Sequence, residues 1–186
     1  MGIREHQTIR EPGGDQADPA GRTLREPATP LPQRPDAGRP GYAGHLDRLA
    51  AASGAIAAEA EAVAAVLRDP DPVMAESAVV THLDRRAVRL PADGEFPDWA
   101  RALRPAVDGR AFPARRLREW SLLKALAAGR AWSAAELTAA SDWCQHTAAL
   151  SPAPYEALAL LAASARTGRV RGAAAQRLRR LALPRG

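Results

Sequence analysis

Cysteine, lysine, asparagine and aromatic residues are scarce or missing in this 186-residue chain: it has one cysteine, one lysine, no asparagine, and four Trp, two Tyr and two Phe. A lone Cys144 cannot close an intramolecular disulfide, and no C-x-x-C pair exists for redox or zinc chemistry. The start of the chain lacks the basic and apolar segments of a secretory signal, so a cytoplasmic location is expected. Its longest weakly polar stretches, ALALLAASA and EAVAAVL, fall far short of the roughly 20 apolar residues that span a bilayer, so no membrane partner is expected. The scarcity of aromatic and β-branched residues leaves little to pair and pack in a sheet, whereas 44 alanines favour helix. The expected fold class is all-α.

Composition divides the chain in two. Residues 1–40 hold seven of the sixteen prolines, with six arginines balanced by six acids and no apolar periodicity. They read as a disordered leader, with ATPLPQRP as a possible extended docking peptide. Residues 41–186 read as an all-helical domain of about seven helices. Leu46, Leu49, Ile56, Val63, Val66 and Leu67 fall at helical intervals, with Gly54 as a joint. Asp71 and Pro72 then suit the cap and first turn of the next helix. Short and long helices are expected over residues 97–107 and 113–128, the longer carrying an apolar stripe of Leu117, Trp120, Leu123, Leu126 and Ala127. S-A-A-E at Ser133–Glu136 is a capping box ahead of LTAASDWCQHTAAL. Ser151 and Pro152 suit the entry to a helix over 154–165, and a last helix is expected over 170–183. Such helices bury narrow apolar faces only by packing on one another, as an irregular helix-pair array or a compact helical bundle.

Two segments share a pattern. In AVLRDPDPVMAESAVVTHLDRR at 65–86 and LLAASARTGRVRGAAAQRLRRL at 160–181, an apolar helix end leads through a polar turn to a valine that opens a second helix. The later segment places Val170, Arg171, Ala174, Ala175 and Leu178 at spacings 0, 1, 4, 5 and 8; the earlier has Val73, Ser77 and Ala78 at spacings 0, 4 and 5 and then diverges. The pattern resembles the HEAT family of helical repeats, whose paired antiparallel helices are joined by a D-x-D-P-x-V-R type of turn. DPDPVM matches that turn with Met74 in place of arginine; RTGRVR supplies Arg171 without the acidic-proline turn. The resemblance implies a curved solenoid that binds protein or nucleic acid through its surface.

Catalytic and metal-binding patterns are absent from the sequence. The four histidines form no H-x-x-x-H or H-E-x-x-H, so no local zinc ligand set exists. Ser141, Asp142, Cys144 and His146 cluster in SDWCQH, but residues two apart on a helix face away from each other, which disfavours a Cys144–His146 pair. Cys144 reads as a packed small residue, and Asp142 with His146, four apart, as a surface pair. Glu59, Glu61, Asp69, Asp71 and Glu76 read as capping and solvated carboxylates. No glycine-rich phosphate or dinucleotide loop occurs, so no cofactor is expected.

Charge placement carries the functional expectation. The chain has formal net charge +5, and 25 of its 26 basic residues are arginine. Residues 41–90 hold five arginines against seven acids, whereas 133–186 hold seven against three. Arg115, Arg116 and Arg118, joined by Arg169, Arg171, Arg177, Arg179 and Arg180, form the candidate patch for an anionic partner. Trp120 and Trp143 belong to the core pattern, and Trp99 and Trp132 read as anchors or loop covers. The expected function is therefore a noncatalytic protein-interaction or regulatory scaffold that meets an acidic protein surface. Nucleic-acid binding through the C-terminal arginines is the alternative, and a third is an enzyme whose site joins His82 or His146 to a distant carboxylate.

Overall fold

The computed structural model describes residues 41–183, so the leader expected over 1–40 lies outside the described residues. Among those residues there are nine α-helices and no strand: α1 (Tyr42–Ala52), α2 (Ile56–Val66), α3 (Pro72–Arg89), α4 (Glu95–Val107), α5 (Ala111–Ala127), α6 (Ala134–Ala139), α7 (Asp142–Leu150), α8 (Tyr155–Ser164) and α9 (Gly168–Ala182). The fold is all-α, an irregular packing of helices.

Local chemistry sets most of the breaks. Gly54 divides α1 from α2 with φ 122°, and Gly129 ends α5 with φ 64°, both in the region that side chains strain to enter. Asp71 caps α3 as its sequence position predicts, its Oδ1 accepting from the Val73 and Met74 amides at 3.1 Å. Pro105 lies two residues before the end of α4. Ser133 Oγ accepts from the Glu136 amide at 3.2 Å, which supplies the serine half of the capping box.

Two expected boundaries move. The helix expected through LTAASDWCQHTAAL breaks at Ala140 and Ser141, both in extended conformation, and Ser141 caps the second piece by accepting from the Cys144 amide at 3.3 Å. Ser151, expected to start a helix, instead ends α7, and Pro154 precedes α8. A serine side chain competes for backbone amides wherever the chain turns, so its presence marks a break without saying which helix it serves.

Helices pack chiefly on their second neighbours. α1, α3, α5, α7 and α9 contact one another in series, while α2 packs on α4 and α6 on α8. The core follows this pattern through Leu49, Val63, Val79, Leu83, Trp99, Leu103, Leu117, Leu126, Leu137, Ala148, Leu161, Val170 and Ala174. Buried alanines at 75, 78, 87, 100, 140, 148, 149, 157, 165 and 174 replace larger side chains at helix contacts. Each contributes little apolar area, and close approach of the helices supplies the remaining packing. The two valines of the repeated pattern differ in place: Val170 is buried and Val73 is 73% exposed.

Candidate anion-binding surfaces

The polar residues of this protein fall into interior clusters and surface arginines, and the interior clusters fix which charges are left outside. Glu59 on α2 has 0% exposure, among Val63 and Val66 on the same helix face. His82 Nε2 lies 2.7 Å from its Oε1, Trp99 Nε1–H donates to the same oxygen at 2.8 Å, and Arg86 Nε–H reaches both carboxylate oxygens at 3.1 and 3.2 Å. Burial alone would raise the Glu59 pKa, but the hydrogen bonds from His82, Trp99 and Arg86 and the attraction of His82 outweigh it and hold it below the ordinary carboxylate value. The expectation of a solvated Glu59 is thus corrected, because three polar side chains on α3 and α4 replace its water. Trp99, expected near a loop, is a fully buried core residue that packs on Phe96 and meets the carboxylate with its indole N–H.

His82 does meet a distant carboxylate, but the pair is closed inside the core and offers no surface to a substrate. Asp142 faces Arg166 Nε at 3.4 Å, so its ionic partner comes from beyond α8 instead of from His146. Cys144 is wholly buried, and burial together with the nearby Glu119 charge raises its thiol pKa to about 12 despite the opposing pull of Arg116. Among the described residues, no group of three His, Cys, Asp or Glu side chains is arranged to hold a metal ion. No helix there is long and apolar enough to cross a membrane.

Two further interior links tie the break between α6 and α7 to its neighbours. Glu119, expected in a polar direction, is buried and accepts from the Ser141 amide at 2.9 Å, exactly where α6 gives way to α7. Gln145, fully buried, donates to the Leu137 and Thr138 carbonyls left free by the end of α6, and accepts from the Arg166 amide. Sequence reading missed Glu119 and Gln145, since neither breaks a motif. Glu59 did leave a trace: residues 59, 63 and 66 share one helical face, so the acid lies in line with two core valines.

The eight arginines of the candidate patch go to different places. Arg116 turns inward, its guanidinium 3.6 Å from the Trp143 ring centroid and its Nε 3.7 Å from Asp84 Oδ1, while Trp120 Nε1–H donates to that same Asp84 oxygen at 2.7 Å. Burial raises the Asp84 pKa, and Glu119 adds to the rise, against the opposing effects of Trp120 and Arg116. Arg115 and Arg118 are exposed and line a cleft with α4 and α6. Arg171 donates to the Ala165 carbonyl at 2.7 Å, and Arg177 donates to the Ala149 and Ser151 carbonyls at the end of α7. These two hold the fold together besides contributing charge.

Arg169, Arg179 and Arg180 remain exposed on α9. Arg180 and Arg177 line a second cleft, of about 330 Å³, with Ala149, Leu150, Ala173, Gln176 and Leu181. Leu150 is 62% exposed and Leu181 54%, so two apolar side chains share this cleft with the arginines. From Glu156 to the end of the chain there is no further Asp or Glu, while arginines stand at 166, 169, 171, 177, 179, 180 and 185. The helices packed on α9 contribute Asp142, already facing Arg166, and Glu156. The α7–α9 edge is thus positive and apolar together. No family model matches the chain, and neither a curated protein nor a solved structure shows significant similarity to it.

Proposed function

We propose that the chain is a noncatalytic interaction module, a short HEAT-like helix array whose α7–α9 edge binds an acidic segment of a partner protein in the cytoplasm. The observation that carries this reading is the edge itself: exposed Arg180 shares a cleft with exposed Leu150 and Leu181, and exposed Arg179 adjoins it in a stretch without a carboxylate after Glu156. An outer helix face needs only polar side chains, and mixed charges would serve that purpose. Leucines left in water beside unopposed arginines instead suit a partner helix that carries both leucine and carboxylate side chains. Packing of each helix on its second neighbour supports the array reading.

Nucleic acid would use the same positive charge. The lining of the α7–α9 cleft favours protein, because it contains leucine and alanine and no aromatic ring on which a base stacks. The test is fluorescence anisotropy with a labelled helical peptide of leucine and glutamate, its leucine–lysine counterpart and a short DNA duplex. The glutamate peptide is expected to bind, and Arg179→Gln with Arg180→Gln to weaken it about tenfold or more while helicity is unchanged. Arg177 is left intact because it closes the end of α7. Equal binding of both peptides contradicts the reading, and preferential duplex binding that falls steeply with salt supports the nucleic-acid alternative in its place.

A further inference from the structure

A cleft opens on a different surface, away from the α7–α9 edge. α2 and α4 form one packed pair on their side of the array and α6 and α8 another, and over α5 the two pairs part. The gap is a cleft of about 770 Å³ with walls from α4 and α6, within the roughly 300–1,000 Å³ usual for small-molecule sites. Ala114, Leu122 and Ala125 of α5 give it a low apolar floor, and the half-buried Trp132 lies at one end.

Three arginines, Arg104, Arg115 and Arg118, and three carboxylates, Asp108, Glu119 and Glu136, line it. Equal numbers conceal unequal engagement. Asp108 accepts from the Gly109 amide at 3.1 Å and Glu119 from the Ser141 amide at 2.9 Å. Glu136 stands in the first turn of α6, where the helix dipole favours a negative charge. Each acid therefore answers a backbone group. The arginines are exposed, and among the described residues none of the three takes part in an ion pair; Arg115 lies only near the Phe112 ring, 5.8 Å from its centroid.

We infer that this cleft binds a planar organic anion. The arginines hold its negative group, as guanidinium forks hold carboxylate, sulfonate or phosphate. The alanine floor and Trp132 receive its flat apolar body. The site shares no lining residue with the α7–α9 edge, so it stands or falls apart from the acidic-protein reading.

Two dyes separate charge from greasiness in the full chain: 8-anilinonaphthalene-1-sulfonate, and N-phenyl-1-naphthylamine, which keeps the rings without the sulfonate. The sulfonate is expected to bind saturably and more tightly than the neutral dye. Arg104→Gln with Arg118→Gln should weaken the sulfonate about tenfold or more and leave the neutral dye unchanged, while Arg179→Gln with Arg180→Gln changes neither. Trp132→Ala should weaken both dyes. Thermal melts by circular dichroism confirm that the variants fold, and exposed arginines without ion pairs make the Arg104 and Arg118 changes mild ones. Absence of saturable sulfonate binding, equal affinity for the two dyes, or a cleft double variant that keeps full sulfonate affinity overturns the proposal.

Discussion

Glu59 shows how one side chain ties three helices. Its carboxylate is the shared acceptor for His82, Arg86 and Trp99, so Glu59→Ala strands two buried donors and a half-buried one at once. Breaking a buried ion pair costs about 3–5 kcal/mol, and urea unfolding of Glu59→Ala is expected to show a loss of that order. The pH dependence follows from the depressed pKa. The unfolded chain takes up a proton near the ordinary value of 4.5 and the folded chain only at lower pH, so the Glu59 contribution is full above that value and is lost as pH falls through the folded one. Asp84, with its raised pKa, acts in the opposite sense, so stability falls as pH rises from 3.8 through its folded value. The difference between wild type and Glu59→Gln isolates the Glu59 part: it should shrink as the pH is lowered below about 4.5, and a constant difference would refute it. Cys144 offers a second check. Buried, with its thiol pushed up to about 12, it should react with a disulfide reagent only as the protein unfolds. Prompt reaction of the folded chain would place it elsewhere.

At the scale of elements, the starts and stops of helices carry the readable signals. Asp71 before Pro72, Ser133 before Glu136 and Gly54 all lie where the helices break. Asp71→Ala removes a cap that satisfies two amides, and a loss of about 1 kcal/mol in thermal or urea unfolding is expected. The break between α6 and α7 was hidden because its supports come from far along the chain. Glu119 binds the Ser141 amide from 22 residues away, and Gln145 joins the end of α6 to the Arg166 amide. Periodicity reports only which face of a segment is apolar, and both pieces keep an apolar face. Gln145→Leu would keep the volume and strip the links, leaving two carbonyls and an amide without partners at a cost of about 1–3 kcal/mol. Hydrogen exchange should then rise first at the ends of α6 and α7. A variant as stable as wild type would show that water replaces Gln145 without loss.

For the whole molecule, composition made the all-α fold legible, since abundant alanine and few aromatic residues leave helix packing as the way to build a core. The candidate site was legible only in part. Counting charge along the chain located the C-terminal excess, but could not show that Arg116 stacks on Trp143, that Arg171 and Arg177 are spent on backbone carbonyls, or that Arg115 and Arg118 line another cleft. Those outcomes depend on which helices become neighbours, and no spacing within one helix encodes them. What remains for an acidic partner is Arg169, Arg179 and Arg180, with Leu150 and Leu181 in the cleft that Arg180 lines. The most direct measurement of that claim is hydrogen exchange of the full chain with and without the leucine–glutamate peptide. The account predicts added protection in the second half of α9 and at the end of α7, lost again in Arg179→Gln with Arg180→Gln. Protection confined to other helices, or none at a peptide concentration that saturates binding, would contradict it.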